Sequence, residues 1–233
     1  ITLRYAPGEK FYQTKSARIP INLDPWVFVL THTYGPENAL GNRFGINRTE
    51  ISIQKRFWFS AFGFADVIVK GAREWGRTAY TNLLSPNANL SYTIQPESFA
   101  LTDPMEFLGD TGIQWDLTYW ANGALFNYIP LLKKLKLREV IAFRGWWSRL
   151  SDKNNPMVEL SDISSGKSID NPLLLWPDYV LATPMHSRPY MEMSAGIDNL
   201  LKCLRVDYVW RLNYRDTPGV SRSGLRVSLH VTF

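Results

Sequence analysis

Residues 203–214, CLRVDYVWRLNY, carry apolar side chains at every even position, from Leu204 through Val206, Tyr208, Trp210 and Leu212 to Tyr214. Arg205, Asp207, Arg211 and Asn213 stand between them. A period of two predicts a β-strand with one apolar and one charged face. In GLRVSLHVTF, Leu225, Val227, Leu229, Val231 and Phe233 alternate with Arg226, Ser228, His230 and Thr232; in YMEMSAGID, Met191, Met193, Ala195 and Ile197 alternate with Glu192, Ser194 and Asp198. GIQWDLTYW sets Ile113, Trp115, Leu117 and Tyr119 against Gln114, Asp116 and Thr118. RTEISIQKRFWF sets Ile51, Ile53, Phe57 and Phe59 against Glu50, Ser52, Gln54 and Arg56, with Lys55 the one intruder. Continued along the chain, the pattern predicts ten antiparallel strands near residues 1–6, 15–23, 25–35, 47–59, 63–74, 111–122, 136–149, 187–198, 202–214 and 223–233.

These strands are about twice the five or six residues usual in a soluble sandwich or lipocalin-like barrel. Tilted strands of about 9 to 11 residues are what a bilayer core requires. The expected fold is therefore an all-β, antiparallel transmembrane β-barrel spanning residues 1–233, with its apolar face toward lipid and its charges inside. Leu204, Val206, Tyr208, Trp210, Leu225, Val227, Leu229 and Val231 are expected to face lipid. Glu192, Asp198, Arg205, Asp207, Arg211, Arg226 and His230 are expected to face the lumen, with Arg138 and Arg144 on the same phase. Both signs occur on neighbouring strands, which predicts cross-strand ion pairs and not a one-signed selectivity ring.

Long and short links alternate between the strands. LDP at 23–25, SAFG at 60–63 and NLLK at 199–202 are tight, and ANGALFNYIPLLKKL is of medium length. If Phe233 ends its strand on the periplasmic side, parity puts the links near 7–14, 36–46, 75–110, 150–186 and 215–222 together on the outside. Aromatic residues then form two expected girdles, one from Phe57, Trp58, Phe59, Tyr119 and Trp120, the other from Trp146, Trp147, Trp210 and Tyr214. Lys55 and Glu139 break the apolar phase only near a strand end, where a charge costs about 0–1 kcal/mol against about 2–4 kcal/mol at mid-bilayer.

Composition agrees with a membrane boundary. The aromatic share is 14 %, with nine Trp and eleven Tyr among 233 residues. No apolar run approaches the roughly 18 residues of a membrane helix; NPLLLWPDYVL is interrupted by Pro172, Pro177 and Asp178. The opening ITLRYAPGEK reads as a strand entering a turn, so the chain is expected to be a piece of a longer protein. Cys203 is the only cysteine, which excludes an internal disulfide framework and is expected to be a small interfacial side chain.

Catalytic chemistry leaves no constellation. His32, His186 and His230 are far apart in sequence, and the chain has no Gly-rich phosphate loop, no G-x-S-x-G elbow and no Cys/His pair. No enzyme activity, cofactor or metal is expected. The sequons NRT at 47–49 and NLS at 89–91 carry no weight without a eukaryotic secretory context. The net charge is +5 and KKLKLR occupies 133–138. Lys133, Lys134 and Lys136 are expected to snorkel to lipid phosphates beside a periplasmic turn, and no nucleic-acid partner is expected.

PYMEMSAGIDNLLKCLRVDYVWRLNYRD and the terminal VSLHVTF, with LRYAPGEKFYQ, ISIQKRFWFSAFG, FALTDPMEFLGD and IPLLKKLKLREV, resemble the barrel part of a Bacteroidota outer-membrane family of unknown function. Its members carry an N-terminal carboxypeptidase-regulatory-like domain. The resemblance runs from Leu3 to Phe233, and the closing Phe233 fits the C-terminal strand signal of outer-membrane barrels. More distantly the chain is similar to BamA-like barrels. That likeness implies a sixteen-stranded barrel of which these would be the last ten strands, with 75–110 in the place of a long loop that folds back into the lumen. The Arg-Gly-Phe-type tip of that loop is absent, the nearest text being NANLSY with Tyr92, and no polypeptide-transport repeats precede the barrel in this chain.

The resemblance implies the bacterial outer membrane, its lipids as surroundings, and other outer-membrane proteins or lipoproteins as partners. It also implies a role in protein assembly, export or a surface complex, in which the seam between first and last strands opens and the edge at 223–233 templates a client strand. The alternative is a closed, non-catalytic anchor whose loops at 75–110 and 150–186 dock a partner. A passive pore ranks third, because the expected lumen charges balance.

Overall fold

The computed structural model describes residues 1–38, 44–89, 95, 97–154, 175–176, 179–180, 185, 187–217 and 219–229. Among these residues the chain forms the strands β1 (Thr2–Tyr5), β2 (Phe11–Gln13), β3 (Arg18–Pro20), β4 (Val27–Gly35), β5 (Ile46–Trp58), β6 (Phe64–Glu74) and β7 (Thr111–Trp120). They continue as β8 (Arg138–Arg149), β9 (Leu175–Trp176), β10 (Tyr179–Val180), β11 (Tyr190–Leu200), β12 (Leu204–Arg211) and β13 (Ser223–Leu229), with one short α-helix among the described residues, α1 (Pro130–Leu135), ahead of β8. No helix among the described residues is long and apolar enough to cross a membrane.

Nine strands join in one sheet of order β1-β4-β5-β6-β7-β8-β11-β12-β13. Every neighbouring pair in it is antiparallel. The chain is thus all-β and meandering, as its alternation predicts, but with one strand fewer in the sheet. Residues 15–23 do not enter it. Their middle holds Pro20, which has no N–H to give to a ladder and is excluded from central strands. Arg18–Pro20 pairs only with Phe11–Gln13, as a small separate hairpin. This changes the parity: residues 6–26 form one connection at the same end as the turn at 59–63. The link near 7–14 therefore lies opposite 75–110, contrary to the expectation from sequence. The sheet is also not closed into a barrel, since β1 and β13 end the order and each is paired along one side only.

The two faces of the sheet invert the usual arrangement of a water-soluble protein. On one face Leu3, Phe28, Leu30, Ile51, Val69, Ile113, Leu117, Ile141, Met193, Ile197, Tyr208, Trp210, Leu225, Val227 and Leu229 are all exposed. On the other, Gln114, Asp116, Thr118, Arg144, Glu192, Ser194, Asp207, Arg211 and Arg226 are buried. The polar face is the inside of a curl. Arg205 on β12 lies with its guanidinium 4.8 Å from the Trp120 ring on β7. Three strand spacings of about 4.8 Å separate those strands in a flat sheet, so the contact requires the sheet to bend toward its charged side.

Turn chemistry sets the tight ends. After β5 the chain turns through Ser60–Phe62, and Gly63 at φ 92° passes so close to β7 that a Cβ there would lie 1.9 Å from the Trp120 carbonyl oxygen. Between β11 and β12, Cys203 N–H returns to the Leu200 carbonyl at 3.2 Å, with both central residues left-handed, Leu201 at φ 52° and Lys202 at φ 69°.

Gly63→Ala is expected to lower stability by about 1–3 kcal/mol, because the new methyl meets backbone and the left-handed φ is strained. The loss would be read as a lower urea midpoint in tryptophan-detected unfolding of the folded protein.

Candidate functional site

The buried face owes its charge pattern to register. Asp116 stands opposite Arg144, Arg144 opposite Glu192, and Glu192 opposite Arg211. A single row across β7, β8, β11 and β12 therefore reads acid, base, acid, base. Arg144 donates its Nε–H to the Asp116 carboxylate. Elsewhere on this face Arg56 forks onto Asp66 at 2.6 and 2.8 Å. Arg205 gives two bonds of 2.8 Å to Asp207 on its own strand. The backbone makes room for that carboxylate at Gly196, where a Cβ would fall 2.3 Å from Asp207 Oδ1.

Described parts of the connection 75–110 fold onto this face and bind Lys70, Glu192, Arg211 and Arg226. The Glu192 carboxylate accepts the Ala100 and Leu101 N–H groups at 3.0 and 2.8 Å and the Tyr190 hydroxyl at 2.6 Å. Arg211 donates to both oxygens of Glu106 and, at 3.0 Å, to the Leu101 carbonyl. Arg226 donates to Ser98 Oγ at 2.7 Å and to the Ser98 and Gln95 carbonyls at 3.1 and 3.2 Å. Lys70 pairs with Glu97, whose carbonyl accepts from Gln114 at 2.9 Å. Guanidinium groups bond a backbone well only when their planar fork meets converging oxygens, and the link supplies such sets at Leu101–Glu106 and Gln95–Ser98.

An apolar cluster lies beside this network. Leu84, Phe99 and Phe107 from the link pack with Trp146 and Tyr190 from the sheet. The Tyr190 ring centroid lies 5.5 Å from that of Phe99 and 5.1 Å from that of Phe107. Fully burying a phenylalanine is worth about 1.5–3 kcal/mol, so the two rings hold the link in place even where ion pairs only break even against desolvation. Against β13 the link packs Leu101, whose Cδ2 lies 3.1 Å from the Cβ position of Gly224. A cavity of about 280 Å³ remains on the inner face, lined by residues of both signs that include Asp116, Arg144, Arg205, Asp207 and Arg226.

The residues singled out from sequence sort as follows. Glu192, Asp198, Asp207, Arg211 and Arg226 are buried and Arg205 is half-buried. Tyr208, Trp210, Leu225, Val227 and Leu229 are exposed on the opposite face, with Leu204 and Val206 half-buried. His230, Val231 and Phe233 lie outside the described residues, as do His186 and Tyr92. Ion pairs do cross strands at Arg144–Asp116 and Arg56–Asp66, but Arg211 is paired with the link and not with the Glu192 it faces. Glu106, Glu97, Ser98, Phe99 and Phe107 complete the site. Alternation could not point to them, because the link has none; the two phenylalanines isolated in a polar stretch were the available signal.

Four expected girdle residues face the other way, Trp58 among them, since it stands opposite Phe64 and through it in line with Trp120. Trp120 receives Arg205 on the polar side, Trp146 is buried under the link, and Tyr214 stacks edge-on to Phe107 at 5.1 Å. The outer aromatic residues at that strand end are Trp26, Phe28, Phe57, Phe59 and Tyr119, joined through Trp26–Phe57 at 6.2 Å and Phe59–Tyr119 at 6.1 Å. The phase breakers have local partners: Lys55 lies 5.6 Å from the Trp26 ring centre, and Glu139 accepts the Leu125 and Phe126 N–H groups at 2.9 and 2.5 Å. His32 Nδ1 sits 3.0 Å from the Thr49 hydroxyl. Among the described residues no three His, Cys, Asp or Glu side chains are grouped to hold a metal ion.

Comparison with protein-family models, with curated proteins and with solved structures finds no match to this chain.

Arg211→Leu leaves Glu106 buried without its cation and is expected to cost about 3–5 kcal/mol. The release would be local, seen as faster amide hydrogen exchange over 98–107 than in the native chain, while the exchange of β5 and β6 stays unchanged.

Proposed function

We propose that this chain is part of a transmembrane β-barrel of the bacterial outer membrane, without catalytic chemistry of its own, working in protein assembly, export or a surface complex in a BamA-like manner. One observation carries the reading: every strand of the sheet exposes residues of its apolar phase, while on β7, β8, β11, β12 and β13 the charged phase is largely buried. In water such a sheet would leave an apolar surface far beyond the few hundred Å² that a soluble monomer exposes. Against acyl chains the same surface needs no cover, and the sheet must then close on further strands so that no edge faces hydrocarbon.

The link at 75–110, folded against the inner face, agrees with the inward loop that the BamA-like resemblance implies. It also disfavours a passive pore, since Phe99, Phe107 and Glu106 fill space that a solute path would need. The free sides of β1 and β13 are where additional strands, the barrel's own or a client's, would pair.

Val69, exposed at the middle of β6, tests the membrane reading directly. Val69→Arg is expected to cost about 2–4 kcal/mol in vesicle-folded protein. A substitution that is neutral, or that makes the chain more soluble and equally stable without lipid, overturns the reading. Depletion in cells addresses the role. Unfolded outer-membrane proteins accumulating in the periplasm are expected for an assembly factor, whereas loss of one surface complex with other barrels intact would replace that role by partner docking.

A further inference from the structure

We infer that the strand ends at residues 59–63, 121–137 and 201–203 form a surface that lies on anionic phospholipid headgroups, with the 121–137 hairpin as its main contact. The inference rests on the membrane reading above and adds which lipid chemistry that rim takes. Unlike the 6–26 connection at the same end of the sheet, these three links are apolar where turns are ordinarily polar. Phe62, Leu125, Tyr128, Leu131, Leu135 and Leu201 are all exposed, Tyr128 to 85 % and Leu201 to 78 %. Set among them are Lys133, Lys134, Lys136 and Lys202, all exposed, whose ammonium groups have no hydrogen-bond or ion-pair partner among the described residues.

The helix α1 is amphipathic within its six residues, PLLKKL. Leu131 and Leu135 stand one turn apart on one side, with Leu132 beside them, while Lys133 and Lys134 take the other. The three links hold no carboxylate: the nearest, Glu139 in β8, is capped by the Leu125 and Phe126 N–H groups. A protein partner would be expected to meet a more mixed surface. Interleaved leucine and lysine suits a layer with phosphate at one depth and hydrocarbon just below it.

Backbone strain supplies a second, independent observation. Lys136 closes α1 in the left-handed region at φ 54°, where glycine or asparagine is favoured. The β11–β12 turn needs left-handed φ at both central positions, for which Asn-Gly is the common solution, yet it holds Leu201 and Lys202. Each such non-glycine residue is strained relative to glycine or asparagine at the same place. Three strained positions at one rim present lysine or leucine to the outside, and none of their side chains stabilises the fold through a described contact. A use outside the molecule accounts for them.

The test uses the full chain with Cys203→Ser, refolded into phosphatidylcholine vesicles with or without phosphatidylglycerol. An environment-sensitive fluorophore is attached at Tyr128→Cys or, separately, at Val227→Cys. Quenching of the 227 label by brominated lipid tests the membrane reading alone; failure there removes both proposals. With 227 quenched, the 128 label is expected to shift to the blue and to be quenched only when phosphatidylglycerol is present, the more weakly the higher the salt. K133Q/K134Q/K136Q should lose that shift and keep quenching at 227. L201N/K202G should raise the urea midpoint yet weaken the response at 128. A 128 label that stays in water in anionic vesicles, or that responds equally with and without the lysines, overturns the inference while leaving the spanning sheet in place.

Discussion

A guanidinium removed from bulk water needs a carboxylate or converging carbonyls aimed at its donors, and in this chain that need organises the whole inner face. The row Asp116, Arg144, Glu192, Arg211 alternates in sign because antiparallel register sets these residues opposite one another. A slip of one residue on any of the four strands would set a charge of the row opposite a residue of the apolar phase, such as Leu117, Phe143, Met193 or Trp210, in place of its counter-charge. Register, curl and the seating of the link are in this sense one constraint. The outer face can vary among apolar residues without cost to that arrangement, whereas the inner face cannot exchange a single member of the row independently.

The network also explains why the link is ordered where it touches the sheet. Its backbone at Ala100 and Leu101 is bound through Glu192, and its Gln95 and Ser98 carbonyls through Arg226. These contacts use the peptide groups of the link more than its side chains, so they depend on its path and tolerate changes in its text. Specific side-chain chemistry comes from Glu97, Ser98 and Glu106, with Leu84 and the two buried phenylalanines supplying the apolar contact.

Strand-like positions were legible from the sequence because period-two alternation survives inversion: it marks two faces without saying which is wet. For β5, β6, β7, β8, β11 and β12 the bounds agree to within a few residues, and the phase agrees throughout. Legibility failed where another force overrode the period. Residues 15–23 alternate well enough, but Pro20 keeps them out of the central sheet and Arg18–Pro20 pairs only with Phe11–Gln13. Trp120 and Trp146 looked like rim aromatics because they are large and near strand ends, yet their even phase turns them inward, where Arg205 and Phe99 occupy the same space. Partners of Arg211 and Arg226 were not legible, since Glu106 and Ser98 come from a segment with no periodicity of its own, whereas Arg144–Asp116 is a cross-strand pair of the kind the alternation predicts.

The distance along the chain between partners has a consequence for the order of assembly. Arg211 reaches Leu101 across 110 residues, and Arg226 reaches Ser98 across 128. Closing loops of that size before local pairing is entropically slow, so hairpins of adjacent strands form first and the 75–110 segment finds its seat only once β12 and β13 have arrived. Until then the interior is an open, hydrated trough whose acids and bases keep their water. Dehydration of the charged row is thus the closing event of folding, and the β12–β13 hairpin acts as the bolt that fastens a link made earlier in the chain.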